Sequence, residues 1–217
     1  MFIGHFAVGF AAKRAAPQVS LGALILAPAF LDVLWPVFLL TGLETVRVVP
    51  TPDPFLALDL HDFPYSHSLV MSIVWSVLFG GVWLAVTRDR RASVVLGALV
   101  FSHWVLDWVT HAPDMPLWPG STTYVGLGLW RSVVSTLVVE CTMFVAGVAI
   151  YTTTTRPRDR IGTIAWWSLV ALLLIFYLSS LLGPPPPSQT AIGIVGLTAA
   201  IGLFALAAWA DRHRTTA

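Results

Sequence analysis

The chain has 217 residues, of which 57% are hydrophobic and only 11% are charged. Soluble domains carry about 25% charged residues, so this composition predicts a polytopic membrane protein. The net charge of +1 provides no general basic field and excludes a nucleic-acid partner. The single cysteine, Cys141, excludes an intrachain disulfide and a cysteine-rich metal site. Any metal must therefore be held by histidines and carboxylates.

Apolar segments separated by polar breaks predict an all-α fold, a polytopic transmembrane helix bundle with about six full spans plus a short N-terminal helix over 1–16. In chain order, the predicted spans are 20–41, 68–87, 92–112, 126–152, 163–182 and 190–210. Long polar loops at 42–66 and 113–125 and a proline turn at 183–188 connect them. We treat 1–217 as a single integral membrane domain, in which 1–152 forms the core of a metal site and 153–217 adds two C-terminal spans.

Basic residues cluster at 13–14, 88–91, 156–160 and 212–214. If the six main spans alternate in direction, all four clusters fall on one side of the membrane. The positive-inside rule places that side in the cytoplasm. We therefore expect a cytoplasmic C-terminus, with the two long polar loops outside.

Three ionisable residues share one face of the predicted helix at 92–112. His103, Asp107 and His111 follow one another at four-residue steps, each of which turns an α-helix by about 400°. The three side chains therefore form a single polar stripe, in which neighbours are about 6 Å apart along the axis. An aspartate within a span costs roughly 2.5–3.5 kcal/mol on insertion scales, so its environment must compensate for the charge.

Ionisable residues on four other segments are expected at a similar depth, in the outer half of the bundle. His67 lies at the outer end of one span, Asp32 and Glu140 lie within spans, and His5 joins them if the first helix starts toward the outside. A cation would neutralise the carboxylates and accept the imidazoles. The expected metal ligands are His5, Asp32, His67, His103 and Asp107. This set suits Zn²⁺ best, with Mn²⁺ or Fe²⁺ as alternatives.

Four short motifs then suggest a family. Gly4-His5-Phe6, Phe30-Leu31-Asp32, Ser66-His67-Ser68 and Ser102-His103-x-x-x-Asp107 occur in this order. The pattern resembles the bacterial membrane-bound metal-dependent hydrolases, inner-membrane proteins distantly similar to zinc-dependent phospholipase C and P1 nuclease. The likeness covers roughly residues 1–140. This chain lacks one carboxylate of the family's Pro-Asp-x-Asp motif and the arginine that often precedes the family's Thr-His-Ser motif. The resemblance implies a bacterial cytoplasmic (inner) membrane location and a metal-dependent attack by water.

The first functional hypothesis is a hydrolase whose bound metal activates water, with Asp32, His111 or Glu140 as the general base or as ligands to a second ion. The expected outer location favours a lipid or lipid-linked phosphoester that enters from the outer leaflet. Alternatively, the buried His, Asp and Glu residues form a relay for ions or protons. The third hypothesis is a structural or assembly protein whose polar cluster only fixes helix packing.

Overall fold

The computed structural model describes residues 1–49, 51 and 53–217; residues 50 and 52 of the predicted 42–66 loop lie outside this range. Helices dominate the described chain, which confirms the predicted all-α class. The helices are α1 (Ile3–Ala11), α2 (Leu21–Leu26), α3 (Phe30–Thr41), α4 (Pro64–His67), α5 (Leu69–Thr87), α6 (Arg90–Thr110), α7 (Val133–Thr154), α8 (Arg160–Leu182) and α9 (Gln189–Arg212). Among the described residues, five helices, α5 to α9, are long and apolar enough to cross a membrane.

The predicted span at 20–41 is not one continuous helix. It consists of α2 and α3, joined by a turn at Ala27–Ala29. Pro28 lies in this turn, where its missing N–H prevents a regular helical hydrogen bond. The turn also leaves the Pro28 carbonyl without a backbone donor from the described chain, and this carbonyl accepts a hydrogen bond of 2.7 Å from His103 Nδ1. The six predicted spans are therefore five long helices and one broken segment, which consists of α2 and α3.

Short antiparallel hairpins fold over both ends of the bundle. Strands β1 (Thr45–Val48) and β2 (Leu58–Asp62) pair within the 42–66 loop, and β3 (Met115–Pro116) pairs with β4 (Tyr124–Val125). We call this the loop end. At the opposite, basic end, β5 (Thr155–Pro157) pairs with β6 (Arg214–Thr216) and draws the C-terminal residues back to α7. The predicted helix at 126–152 begins only at Val133: residues 126–128 continue the loop, with Gly128 at a φ of +75°, and Leu129–Arg131 form one 3-10 turn.

The long helices begin at polar residues that suit helix N-termini. The side chains of Ser68, Asp89, Ser132, Asp159 and Ser188 each accept a hydrogen bond from the backbone N–H three residues later. Such caps satisfy donors that have no partner inside the helix. The polar breaks between the apolar segments therefore determine where each span starts.

Helix α1 is buried in the middle of the bundle rather than lying on its surface. Phe10 packs edge-on against Trp166 of α8, with ring centroids 4.9 Å apart, and also contacts Phe144 of α7. On α7, Gly147 allows this close approach, because a Cβ at that position would lie 2.5 Å from the Ala7 carbonyl oxygen. The short helix that carries His5 is thus held against a full span by backbone contact.

A buried ion pair fixes the basic end of the bundle. Lys13 Nζ lies 2.7 Å from Asp211 Oδ2 and also donates to the Val19 carbonyl, while Tyr151 donates to Asp211 Oδ1. The guanidinium of Arg214 contacts Thr155 and the Gly162 carbonyl, and burial lowers its pKa. These contacts join the end of α1 to α7, α8 and α9.

We predict that Gly147→Ala lowers the free energy of unfolding by about 1–3 kcal/mol, because the added methyl group forces α1 away from α7. Helix propensity alone would raise the free energy of unfolding of the alanine variant by about 1 kcal/mol. The expected decrease is therefore opposite in sign to the propensity effect. Thermal unfolding in detergent measures the change. Gly202→Ala is the matched control, since a Cβ there meets nothing within 4 Å. Equal stability of the two variants would contradict the packing argument.

Candidate metal centre

The five predicted ligand residues lie together inside the loop end of the bundle. They come from four elements: α1, α3, α4 and α6. Four of the five residues are almost fully buried, with exposures of 1% for His5, 4% for His67, 0% for His103 and 2% for Asp107. The fifth, Asp32, has a side chain that is 44% exposed. The sequence motifs therefore converge in space although they are separated by up to 102 residues along the chain.

His103 occupies the middle of this cluster. Its Nδ1 donates to the Pro28 carbonyl, so Nε2 carries a lone pair and faces inward. From Nε2, Asp107 Oδ2 is 2.9 Å away and His67 Nε2 is 3.2 Å away. The helical break at Pro28 thus supplies the acceptor that determines the tautomer of His103.

His67 is oriented by a buried carboxylate from the 42–66 loop. Ser66 Oγ donates to Glu44 Oε2 at 2.6 Å and accepts from His67 Nδ1 at 2.6 Å. The other oxygen, Oε1, accepts the backbone N–H groups of Tyr65 and Ser66, each at 2.7 Å. Burial raises the pKa of Glu44, while these hydrogen bonds favour the charged form. The Nε2 lone pair of His67 consequently faces the same point as that of His103.

Sequence reasoning missed Glu44. It lies in a polar loop, 22 residues from the serine that it binds, and nothing local distinguishes it from a solvated carboxylate. The available signal is Ser66, a polar residue next to His67 at the end of the loop. In the structure Ser68 caps α5, which leaves Ser66 free to connect His67 with Glu44.

Asp107 receives contacts from α1 on its other oxygen. His5 Nε2 lies 3.1 Å from Asp107 Oδ1, and the His5 ring stacks on His103 with centroids 3.9 Å apart and planes at 1°. The α-amino group of Met1 lies 2.5 Å from the same oxygen. Within the described chain, His5 Nδ1 is buried without a hydrogen-bond partner. The carboxylate therefore joins α1 to α6.

The remaining carboxylate of the cluster is the one open to a cavity. Asp32 Oδ1 is 3.6 Å from His67 Nε2 and 3.8 Å from His103 Nε2. Asp32 also lines a small cavity of about 130 Å³ beside His67, Asp107 and His111. A group that reaches the cluster through this cavity would meet Asp32 directly.

Two of the three residues predicted to act as base lie outside the cluster's centre. His111 is at its edge, with Nε2 3.9 Å from Asp107 Oδ2 and Nδ1 3.0 Å from Asp114 Oδ1. Glu140 Oε2 accepts the backbone N–H groups of Phe2 at 2.9 Å and Gly4 at 3.3 Å. Glu140 therefore holds the start of α1 rather than facing the imidazoles.

The geometry of the donor atoms fits a divalent metal. Two trios, His5–His103–Asp107 and Asp32–His67–His103, each place one ligand atom per residue within 4.8 Å of the others. Zinc bonds of about 2.0–2.1 Å in a tetrahedron put ligand atoms roughly 3.3 Å apart, close to the spacings around His103 Nε2. Both inward Nε2 atoms belong to rings whose Nδ1 is engaged elsewhere, as metal-binding histidines require.

Fold and site together define a polytopic integral membrane protein with a buried His/Asp cluster at one end of its helices. The chain belongs to the YdjM inner membrane protein family, whose family model matches residues 1–183. The match includes every residue of the cluster and extends to the end of α8. No curated protein and no solved structure matches this chain. The family match and the five long apolar helices identify the chain as a multi-pass protein of the bacterial inner membrane.

We expect Glu44→Gln to weaken Zn²⁺ binding by about 10–100-fold, because an amide cannot accept all three donors that orient Ser66 and His67. A competition titration with a zinc indicator on detergent-purified protein measures the affinity. Asp59→Asn is the control, since Asp59 lies in the same loop and its carboxylate contacts His61 at 3.7 Å, away from the cluster. Equal zinc affinity in Glu44→Gln and wild type would rule out this positioning role.

Proposed function

We propose that this protein is a metal-dependent hydrolase of the inner membrane that cleaves a lipid or lipid-linked phosphoester. The observation that carries the proposal is the pair of imidazole Nε2 atoms 3.2 Å apart, flanked by two carboxylates, inside an apolar bundle. Two facing lone pairs beside the buried Asp107 carboxylate and the half-exposed Asp32 carboxylate favour a cation between them. The resemblance of the His103-x-x-x-Asp107 motif to membrane-bound metal-dependent hydrolases supports the same conclusion.

His67, His103 and Asp107 would hold the ion, and His5 would complete the set, which leaves Asp32 free to act as the base. When bound, Zn²⁺ supplies a Lewis acid that lowers the pKa of water toward about 7 and polarises a phosphoryl oxygen. Mn²⁺ and Fe²⁺ suit the same ligands. The protein's contribution is to orient the ligands through Pro28 and Glu44.

Proton transfer is assigned to Asp32 and His111, which line the small cavity beside the metal ligands. The attacking water forms a bond to phosphorus and loses its proton to Asp32 Oδ1, while the bond from phosphorus to the leaving oxygen breaks. His111 Nε2 then protonates that oxygen, with Asp114 orienting the ring through Nδ1. Glu140 takes no proton in this scheme, because backbone N–H groups occupy its Oε2.

The loops exclude bulk water from the reacting atoms. Leu58 and Leu60 of β2 and Trp130 line the small cavity opposite His67 and Asp107. A dry site strengthens the electrostatic interactions of its charged groups. The positive-inside rule, applied to the basic end, supports an orientation with this covered site toward the outer face of the membrane.

The ligand assignment predicts near-stoichiometric zinc, manganese or iron in wild-type protein purified without chelator. The metal is lost from the His103→Ala/Asp107→Ala variant, and hydrolysis of a water-soluble phosphodiester falls more than about 100-fold. Elemental mass spectrometry and release of p-nitrophenolate from p-nitrophenyl ethyl phosphate provide the two measurements.

His61→Ala serves as the histidine control, because the His61 ring is partly exposed in the hairpin. It should retain both metal and activity. Asp107→Asn removes the charge while conserving shape, and it should reduce both. The proposed metal centre would be contradicted if the wild-type protein held no metal. It would also be contradicted if the double variant folded and kept its full metal content.

The proposed orientation predicts which cysteines react from outside the cell. In a Cys141→Ser background, Thr122→Cys lies in an exposed part of the loop end and Arg158→Cys lies at the exposed basic end. A membrane-impermeant maleimide should label Thr122→Cys in intact bacterial spheroplasts, and Arg158→Cys only after lysis. The reverse pattern would place the site on the cytoplasmic face.

A further inference from the structure

A second, larger cavity lies between the broken segment and the two C-terminal helices. Its volume is about 690 Å³, within the range of small-molecule sites. Its walls come from α3, α8 and α9 and from the start of α1. Most of its lining is aromatic, aliphatic or proline, including Phe6, Pro36, Phe176 and Phe204.

The cavity reaches the candidate metal centre through Asp32. Among the described lining residues, Asp32 is the one that carries a charge. The same residue lines the small cavity beside His67 and Asp107. Its side chain is 44% exposed, whereas those of His67 and Asp107 are 5% and 3% exposed. An occupant of the large cavity would therefore touch the cluster at its accessible carboxylate.

The shape and surroundings of the cavity favour a hydrocarbon chain. Along α9 its lining extends from Ala191 to Phe204, which corresponds to roughly 20 Å at 1.5 Å per residue. One leaflet of a bilayer has a hydrocarbon depth of about 15 Å, so the length of the lining is comparable to that of one leaflet. Helices α8 and α9 are both membrane-spanning by length and composition, so lipid is the surrounding medium.

Small residues on α9 line the cavity. Gly196 lets α9 approach Pro36 of α3, because a Cβ on Gly196 would lie 3.1 Å from the Pro36 ring. Ala200 is one helical turn further and also lines the cavity. A larger side chain at either position would extend into the cavity, and at Gly196 it would also press on Pro36.

We propose that the cavity between α3, α8 and α9 binds one hydrocarbon chain of a membrane lipid substrate and places its reacting group beside Asp32. This inference rests on the proposed hydrolase function, to which it adds a binding site and a substrate class. A chain that leaves the bilayer for this cavity exchanges one apolar environment for another and gains little hydrophobic free energy. The contribution of the cavity is positioning and selection of chain length. Helices α8 and α9 then serve substrate binding rather than only adding spans.

The test compares two substrates with the same leaving group, p-nitrophenyl hexadecyl phosphate and p-nitrophenyl ethyl phosphate. Gly196→Leu should lower kcat/KM for the hexadecyl compound by about 10–100-fold, through loss of positioning. Hydrolysis of the ethyl compound, which has no long chain to be positioned, should change much less. Gly202→Leu is the matched control on the same helix, because its Cβ would meet nothing within 4 Å.

Direct binding is measured without turnover. The protein is placed in vesicles of phosphatidylethanolamine and phosphatidylglycerol that contain a phosphatidylglycerol with a diazirine in one acyl chain. After illumination, mass spectrometry should locate cross-links on the cavity lining of wild type and Gly202→Leu, and these should be lost in Gly196→Leu. Ala200→Leu replaces Gly196→Leu if the latter does not fold. Cross-links confined to outward residues such as Ile201 in wild type would overturn the proposal without any variant.

The outcomes separate this proposal from the hydrolase itself. If wild type holds no metal and hydrolyses neither compound, but the photoreactive lipid still marks the cavity, the lipid site stands and the enzymatic function fails. If wild type and both leucine variants hydrolyse the hexadecyl compound equally well, the cavity is not the chain site, although the hydrolase remains.

Discussion

The buried carboxylate of Asp107 is the charge around which the loop end of the bundle is arranged. Its residue is 2% exposed, and an unpaired anion there would destabilise the fold by several kcal/mol. It is contacted at 2.5–3.1 Å by His103 of the same helix and by His5 and the Met1 α-amino group of the N-terminal segment. Helix α1 is consequently drawn to the centre, and Glu140 holds its first backbone N–H groups in place.

Two irregular parts of the chain, the break at Pro28 and the 42–66 loop, hold the His/Asp cluster in place. The break at Pro28 would leave an unsatisfied carbonyl in an apolar environment, and His103 satisfies it while its own ring is fixed. The 42–66 loop fixes the ring of His67. Its Glu44 carboxylate accepts three hydrogen bonds from Tyr65 and Ser66, and the Ser66 hydroxyl accepts a fourth from the His67 ring. The break at Pro28 and the 42–66 loop thus orient the imidazoles of His103 and His67. A cooperative hydrogen-bond network of this kind specifies a single arrangement of the side chains.

Much of this arrangement follows from sequence patterns with a physical period. The four-residue spacing of His103, Asp107 and His111 predicts their common face, and the apolar segments predict the long helices. The break between α2 and α3 and the role of Glu44 do not follow, because both depend on tertiary partners distant in the chain. A proline within an apolar segment is compatible with a span or with a break. A glutamate in a polar loop carries no local sign of its partner.

The interior of the bundle also bears on the choice between a hydrolase and an ion relay. On α7, Glu140 and Tyr151 are 11 residues apart, or roughly 16 Å along the helix. In the described chain, Phe10, Phe144 and Trp166 fill the interior between these levels, and each is at most 3% exposed. A proton relay needs hydrogen-bonding groups or water along its path. Phe10 and Phe144 have no hydrogen-bonding group in their side chains, and the Trp166 N–H is engaged by Thr152 Oγ1 at 3.1 Å. The polar cluster is therefore closed toward the basic end, whereas Asp32 opens sideways to the apolar cavity. Access from the lipid, rather than passage across the membrane, is what this arrangement favours.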